Sequence, residues 1–317
     1  MKVSILGNNS ALAAFGRHTT SQVVQVDDET LCMIDCGEGV QEQIQRFGVR
    51  KNKIAYIFIS HMHGDHYFGL PGLLNSMNLL GRTAPLTIFC PDELPAIMEA
   101  IFKAGDSHIQ FPLTFCKLSE QDECLVNTNR FSVCSFPVEH RIPCYGFLME
   151  KKSRARKINA AACESYQIPY THYDALKEGA DYIDEEGNTI LNKWLTDEGT
   201  APKKYAFCAD TLFTTSFLEA ITGCDTMYHE STYLEIDESK AASRFHSTAK
   251  QAAQLAVLAK TKKLVFFQIP LLRLKVLLTK YNYSTTAMHF NSIAIAEGKE
   301  VTPTVVLQGI LLEKYSA

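Results

Sequence analysis

Three histidines and one aspartate lie within six residues, in the sequence HMHGDH at positions 61–66. Imidazole and carboxylate groups are the ligands that divalent ions of intermediate softness prefer, above all zinc. His61 and His63 are two residues apart and can point the same way, while Asp65 and His66 can reach a second ion from the turn that follows. The run therefore predicts an open metal centre that keeps free coordination positions for water.

Two ions need more ligands than this run supplies, so further candidates must come from later in the chain. His140 follows the strand-like run RFSVCSFPVE, and Asp210 follows KYAFCA, so both lie at predicted strand ends. Taken singly, such a residue is as often part of the core or the surface as a ligand. A carboxylate has two oxygens, and Asp210 can therefore bridge two ions.

Two more histidines are candidates for the same centre. His229 and Glu230 are neighbours in the sequence HEST. His246 stands directly before a predicted helix that Ser247 or Thr248 can cap, and such a position is suited to meeting an anion.

The elements that must position these side chains are short strands and helices. Apolar or alternating runs bounded by turn residues predict strands at 2–6, 22–27, 31–35, 54–60, 86–90, 131–136, 145–149, 204–209 and 263–267. Helical periodicity predicts helices at 38–47, 92–104, 214–222 and 247–260. The strand at 54–60 is almost continuously apolar and leads directly into HMHGDH, as expected for a strand that is buried on both faces. The length of 317 residues fits one large α/β domain over 1–317.

Composition excludes several classes of protein. Hydrophobic residues make up 46% and charged residues 21%, which excludes a disordered or fibrous chain. The net charge of −4 argues against a basic nucleic-acid coat, but not against a nuclease whose metals meet the phosphates. We find no run of 18 apolar residues and no signal-peptide pattern, and the ten scattered cysteines form no CxxC pair. We therefore expect no membrane association, reduced cysteines and a cytoplasmic location.

One long segment, at about 150–203, interrupts the alternation of strands and helices. It is polar and begins with the basic run KKSRARK at 151–157. This composition predicts an arm or insertion that projects from the domain, although an ordinary surface excursion that covers the sheet is the alternative.

The motifs together resemble the metallo-β-lactamase superfamily, because HxHxDH follows a hydrophobic strand and is preceded by IDCGEG. Four further motifs narrow the resemblance to tRNase Z, the endoribonuclease family that processes the 3′ ends of tRNA, in its short form: PVEH (137–140), ADT (209–211), HEST (229–232) and HSTAKQAA (246–253). The resemblance implies a metallo-β-lactamase-like αββα sandwich of two mixed sheets with an inserted tRNA-binding arm at about 150–203. It also implies precursor tRNA as the partner and a homodimer.

The resemblance further implies a ligand set for two zinc ions: His61, His63 and His140 for the first, Asp65 and His66 for the second, and Asp210 as the bridge. Asp65 matches the general base that orients the attacking hydroxide. His246 matches the residue that contacts the phosphate and assists the leaving oxygen, and Glu230 matches the carboxylate that orients it. Asp35 resembles a carboxylate that supports the ligand histidines.

The sequence departs from the family at its last metal ligand. Gln268, in LVFFQIPLLR, stands where the family has a histidine, and a neutral amide is a poor zinc ligand. The run 268–289 does not resemble the family, which indicates either real divergence or a compensated shift of reading frame, whereas FNSIAIAEGKEVTP from 290 onward returns to it. His289 could in principle substitute for the missing ligand. We expect a weak or empty second zinc position and low activity.

The segment IPYTHYDALKEG at 168–179 resembles the turn segment of the family's arm, but Ile168-Pro169 and His172 stand where the family has Gly-Pro followed by Gly. Three functions remain open: a zinc-dependent endoribonuclease that removes the 3′ trailer from precursor tRNA, a small-molecule phosphodiesterase or ester hydrolase of the same superfamily, and a relative whose decayed second site leaves weak or no activity. The arm favours the first over the second, since a small substrate has no need of it.

Overall fold

The structure, a computed structural model, describes residues 1–13 and 17–268 and the backbone of 304–307. His289, almost all of the divergent run 268–289 and the family-like sequence from 290 to 303 therefore lie outside the described residues. Within the described part, no helix is both long and apolar enough to cross a membrane.

The first sheet has six strands in chain order: β1 (Lys2–Gly7), β2 (Ser21–Gln25), β3 (Leu31–Cys36), β4 (Ile54–Phe58), β5 (Leu86–Cys90) and β6 (Leu113–Lys117). β1, β2 and β3 pair antiparallel, and β3 to β6 pair parallel. The strand predicted at 54–60 is confirmed as β4, a central strand, which explains its continuous apolar character.

Four helices accompany this sheet: α1 (Val40–Arg46), α2 (Gly64–Tyr67), α3 (Leu70–Leu79) and α4 (Leu94–Ala104). Three of them cover its outer face with apolar side chains, which include Val40, Ile44, Leu70, Leu74, Leu94 and Met98. α3 and α4 each carry a proline in the first turn, where a backbone N–H would have no hydrogen-bond acceptor within the helix, so its absence costs nothing. α2 is short and contains the second half of HMHGDH.

The chain then crosses to the second sheet through β7 (Glu123–Asn127), β8 (Phe131–Val138) and β9 (Cys144–Lys151), which pair antiparallel. Residues 152–202 follow as an excursion and contain four two-residue strands and three short helices: β10 (Lys157–Ile158), α5 (Ala160–Ser165), α6 (Tyr173–Lys177), β11 (Tyr182–Ile183), β12 (Thr189–Ile190), α7 (Asn192–Leu195) and β13 (Thr196–Asp197).

The second sheet is completed by β14 (Lys203–Phe207), β15 (Thr226–Glu230), β16 (Lys263–Phe267) and β17 (Thr304–Leu307), in the order β17-β16-β15-β14-β9-β8-β7. α8 (Leu218–Ile221) and α10 (Ala249–Leu258) cover its outer face, and α9 (Glu238–Ser243) lies in the connection between β15 and α10. The helix predicted at 214–222 is wrong in its first half. There the Thr214 hydroxyl accepts a hydrogen bond from Ser216 N and donates one to Glu139, which holds the backbone in a turn.

The main core lies between the inner faces of the two sheets: Val24, Ile34, Phe58 and Phe89 from the first, and Val133, Phe147, Phe207, Tyr228 and Phe267 from the second. Complete burial of an aromatic or aliphatic side chain of this size contributes about 1.5–3 kcal/mol. The layers are therefore helices, sheet, sheet and helices. This confirms the αββα sandwich expected from the sequence.

Candidate metal centre

The predicted site residues follow the carboxyl ends of strands that share one edge of the sandwich. β3 ends near Asp35, β4 leads to His61, and β14, β15 and β16 end next to Asp210, Glu230 and Gln268. In parallel sheets such an edge is where ligands bind. Among the described non-glycine residues with positive φ, Asp35 (55°), Ala209 (50°), Phe245 (57°) and Gln268 (60°) all lie at or beside this site. Backbone strain of this kind concentrates at functional sites.

Three histidine nitrogens converge at the first part of the centre. His61 Nε2 lies 2.9 Å from His63 Nδ1, which lies 3.2 Å from His140 Nε2. The outer nitrogens have other partners: His61 Nδ1 contacts Ser60 Oγ at 3.0 Å, and His140 Nδ1 donates to Phe245 O at 2.9 Å. The inner nitrogens of His61 and His140 therefore present lone pairs to the same point. A divalent ion there would satisfy all three imidazoles.

The second part of the centre is built around His66. Its Nδ1 donates to Asp35 at 2.7 Å, and its Nε2 lies 3.6 Å from Asp65 and 3.8 Å from Asp210. This buried Nε2 has no hydrogen-bond partner among the described residues. Ligand atoms of His61, His66 and Asp210 all lie within 4.8 Å of one another. An orphaned nitrogen that faces two carboxylates fits a second cation.

The protonation behaviour of the two parts differs. Burial lowers the pKa of His61 and of His63, and lowers the pKa of His140 to about 4. These imidazoles are therefore neutral at ordinary pH, which is the form that binds a metal ion.

Carboxylates dominate the second part. Burial acts to lower the pKa of His66, but the adjacent Asp35, assisted by Asp210 and Asp65, outweighs burial and raises this pKa to about 10. Burial raises the pKa of Asp210 to about 6, with a further contribution from Glu230. The raised pKa of His66 reflects the buried carboxylates beside it, whose negative charge a divalent cation would neutralise.

Ser60 is a site residue that the sequence reasoning missed. Its backbone N–H donates to one oxygen of Asp35 at 2.8 Å, and its hydroxyl donates to the other at 3.0 Å. Asp35 is thereby held against His66, and Ser60 also contacts His61. A small hydroxyl residue at the strand end, directly before the first histidine, was the available signal. Partners of this kind fix the tautomers of ligand histidines.

His246 lies at the rim of the centre. Its Nδ1 is 2.9 and 3.0 Å from the two oxygens of Glu230 and 4.0 Å from Asp210. Glu230 is buried and also accepts from Thr211 N at 2.7 Å and from the Thr232 hydroxyl at 2.6 Å. Burial acts to lower the pKa of His246, but the hydrogen bond and charge of Glu230 outweigh burial and raise it. The pair is an imidazole held in orientation, with its proton retained, by a fixed carboxylate.

The chain is similar in sequence to proteins of a known family. A family profile described as Anti-Pycsar protein Apyc1 matches residues 1–154, less than half of the chain. Ribonuclease Z of Porphyromonas gingivalis (strain W83) is 42% identical over 264 residues, which cover 83% of this chain and 86% of the relative. Ribonuclease Z of Parabacteroides distasonis is 41% identical over the same shares of both chains. The chain belongs to the ribonuclease Z family.

A solved structure agrees with this ribonuclease Z assignment at the level of the fold. Human tRNase Z, short form, has a TM-score of 0.64 and 23% identity, and the match covers 86% of this chain and 94% of the human chain. The resemblance inferred from the motifs is thus confirmed, as is the metallo-β-lactamase fold. The individual ligand and catalytic assignments stay predictions. The structure brings all of the predicted site residues together at one edge of the sandwich: His61, His63, Asp65, His66, His140, Asp210, Glu230 and His246.

Gln268 lies inside this centre, although its side chain differs from the family pattern. It is 3% exposed, its Nε2 donates to Asp210 at 3.1 and 3.4 Å, and its Oε1 lies 2.8 Å from the Thr232 hydroxyl. His229, by contrast, does not join the centre. Its Nδ1 donates to the carbonyl of Glu230 at 2.8 Å, and the ring is buried in the sheet.

Proposed function

We propose that this protein is a zinc-dependent endoribonuclease that removes the 3′ trailer from precursor tRNA. The observation that carries the proposal is the convergence of His61, His63 and His140 beside His66 and Asp210, in a chain that belongs to the ribonuclease Z family. Family membership and the donor set together support a metal cofactor.

In this proposal His61, His63 and His140 would hold one ion, Asp65 and His66 would hold the other, and Asp210 would be a further ligand of the centre. Ions bound in these positions supply Lewis acidity, which lowers the pKa of a water molecule and offsets negative charge on the scissile phosphate. Asp35 and Ser60 keep the imidazoles in the tautomers that this arrangement needs.

The chain's own residues then manage the protons. Asp65 accepts a proton from the attacking water as the new bond to phosphorus forms. Glu230 holds the Nδ1 proton of His246 and favours the protonated imidazole, which donates its Nε2 proton to the 3′ oxygen of the tRNA as the phosphorus–oxygen bond breaks. The tRNA leaves with a 3′ hydroxyl and the trailer keeps the phosphate. Glu230 is fixed by Thr211 and Thr232, so the imidazole is already oriented before substrate arrives.

The excursion favours a tRNA enzyme over the alternative, a small-molecule phosphodiesterase of the same superfamily. The metal centre alone would serve either substrate class. Residues 152–202 add exposed basic groups at their entry, including Arg154 and Lys157, and such groups can contact phosphates of a large RNA. We therefore assign residues 152–202 to tRNA binding, within a single domain that spans 1–317.

The test is cleavage of a precursor tRNA that carries a labelled 3′ trailer, by the purified full chain and by Gln268→His. We expect release of the intact trailer and a tRNA with a 3′ hydroxyl, loss of cleavage with chelator, and recovery when metal is restored. Gln268→His, which restores an imidazole, should be the faster of the two. Hydrolysis of bis(p-nitrophenyl) phosphate without cleavage of the precursor by either protein would favour the small-molecule alternative.

We also propose a homodimer and a cytoplasmic location, both by analogy with the family. Sedimentation of the purified protein would measure the mass of the assembly. A monomer at micromolar concentration would contradict the dimer.

A further inference from the structure

The Thr232 hydroxyl lies within hydrogen-bond distance of two acceptor oxygens, but it can donate to only one of them. Its Oγ1 lies 2.6 Å from Glu230 Oε2 and 2.8 Å from Gln268 Oε1. A hydroxyl carries one hydrogen, so it can donate to only one of these oxygens at a time. The other contact would bring two acceptors together without a hydrogen between them, which is unfavourable for buried groups.

A half-turn of the Gln268 amide removes this conflict and creates a new one. With the amide turned, Nε2 donates to Thr232, and Thr232 remains free to donate to Glu230. Oε1 then takes the present place of Nε2, 3.1 Å from Asp210 Oδ1. The nitrogen and oxygen of an amide have nearly the same shape, so packing does not distinguish the two orientations. An amide oxygen against a carboxylate is repulsive unless a cation lies between them.

We propose that Gln268 Oε1 is a ligand of the second ion, and that this ligand shifts the second site from zinc toward harder divalent cations such as manganese. The site then combines oxygen donors from Asp65, Asp210 and Gln268 with the single imidazole of His66. Carboxylate and amide oxygens suit manganese, whereas the three imidazoles of the first site suit zinc. The orientation of the Gln268 amide therefore depends on whether the second ion is bound: Nε2 faces Asp210 without the ion, and Oε1 faces the ion when it binds.

The separations suit a single ion. Two ligands at about 2.1 Å from one ion lie about 3.0 Å apart at a right angle and about 4.2 Å apart on opposite sides. Gln268 Nε2 lies 3.1 Å from Asp210 Oδ1 and 3.4 Å from Asp210 Oδ2, and His66 Nε2 lies 3.8 Å from the same Oδ2 and 3.6 Å from Asp65. The Gln268 backbone is anchored, because its N–H donates to Asn8 O at 3.0 Å. For Gln268 itself, metal binding therefore requires only rotation of the side-chain amide.

The test measures metal affinity and not cleavage. The full chain is stripped with chelator and given one equivalent of zinc, and the second site is then titrated with zinc or with manganese. Mass spectrometry of the metals counts ions per chain, and electron paramagnetic resonance follows manganese. Zinc binds most nitrogen–oxygen sites more tightly than manganese does, so the informative quantity is the ratio of the two Kd values in each variant.

Three variants at this position separate the possible outcomes. Gln268→His should move the Kd ratio toward zinc by about 10-fold or more, the size of effect that changes around a metal have on affinity. Gln268→Glu keeps oxygen donors and should keep manganese binding, while Gln268→Leu should weaken manganese binding by about 10-fold or more. Each variant should retain the first zinc, which shows that it is folded.

An unchanged Kd ratio in Gln268→His, or unchanged manganese binding in Gln268→Leu, would overturn the assignment. The inference rests on the two-metal part of the proposed function, yet the two can fail separately. A chain that holds zinc and manganese as described and leaves precursor tRNA intact would contradict the proposed function alone.

Discussion

The metal centre and the excursion at 152–202 are built in opposite ways. At the centre, buried polar side chains are fixed by hydrogen bonds to one another: Asp35 accepts from His66, and Glu230 accepts from His246. The excursion has a small apolar core of its own, made of Cys163, Ile168, Leu176 and Leu195. The centre therefore depends on the assembly of both sheets, whereas the excursion depends mainly on itself.

The two regions also lie at opposite ends of the second sheet. Lys151 and Lys203 are paired across β9 and β14 where the excursion leaves and returns, while Asp210 follows the other end of β14. A change in one region should therefore leave the other intact, and the predictions below test that independence.

The largest effect is expected from His63→Ala. His63 Nδ1 lies beside His61 Nε2 and His140 Nε2, so the substitution removes one of the three nitrogens that would bind the first ion. We expect zinc affinity to fall by more than about 100-fold, because loss of a ligand should cost more than loss of a residue that only hydrogen-bonds a ligand. Zinc content after dialysis measures this loss. His108→Ala, at a side chain that is 80% exposed, is the control. Full zinc content in His63→Ala would refute the assignment of the first site.

A smaller effect, confined to the large substrate, is expected when residues 152–202 are replaced by an Asn-Gly turn. Lys151 and Lys203 lie directly opposite in antiparallel strands, which is the geometry that a two-residue turn closes. We expect kcat/KM on precursor tRNA to fall about 100-fold, or about 2.7 kcal/mol, because the excursion supplies remote binding energy. Metal content and hydrolysis of bis(p-nitrophenyl) phosphate should stay unchanged. An equal loss on both substrates would mean that the excursion supports the domain itself.

The most local effect, confined to the excursion, is expected from Ile168→Ala within its core. The truncation should cost about 2–5 kcal/mol of local stability, which is enough to open an element with so few buried side chains. Amide hydrogens of α5 should then exchange faster, while those of β14 keep their rates, as read by mass spectrometry. Ile236→Ala, at a side chain that is 89% exposed, is the control. Faster exchange in β14 as well would show that the two regions are coupled.

Local sequence predicted most of the strands of the two large sheets, because apolar runs and turn residues act over a few positions. The strands at 31–35, 54–60 and 263–267 were found within one or two residues of β3, β4 and β16. β15, which carries His229 and Glu230, was missed, since polar residues at its end hide the pattern of a buried strand. The helix expected at 214–222 shrank to α8 because Thr214 captures the backbone of the preceding turn.

The sequence by itself determined the chemistry of the centre, that is, the ligand types of HMHGDH and their place at a strand end. Only the tertiary structure decided which distant residues complete it. His63 and His140 are 77 positions apart, and Asp210 and Gln268 are 58 apart, yet each pair is in contact. The order and direction of strands in two packed sheets set these distances, and no local pattern encodes that order. The same packing set Gln268 between Asp210 and Thr232.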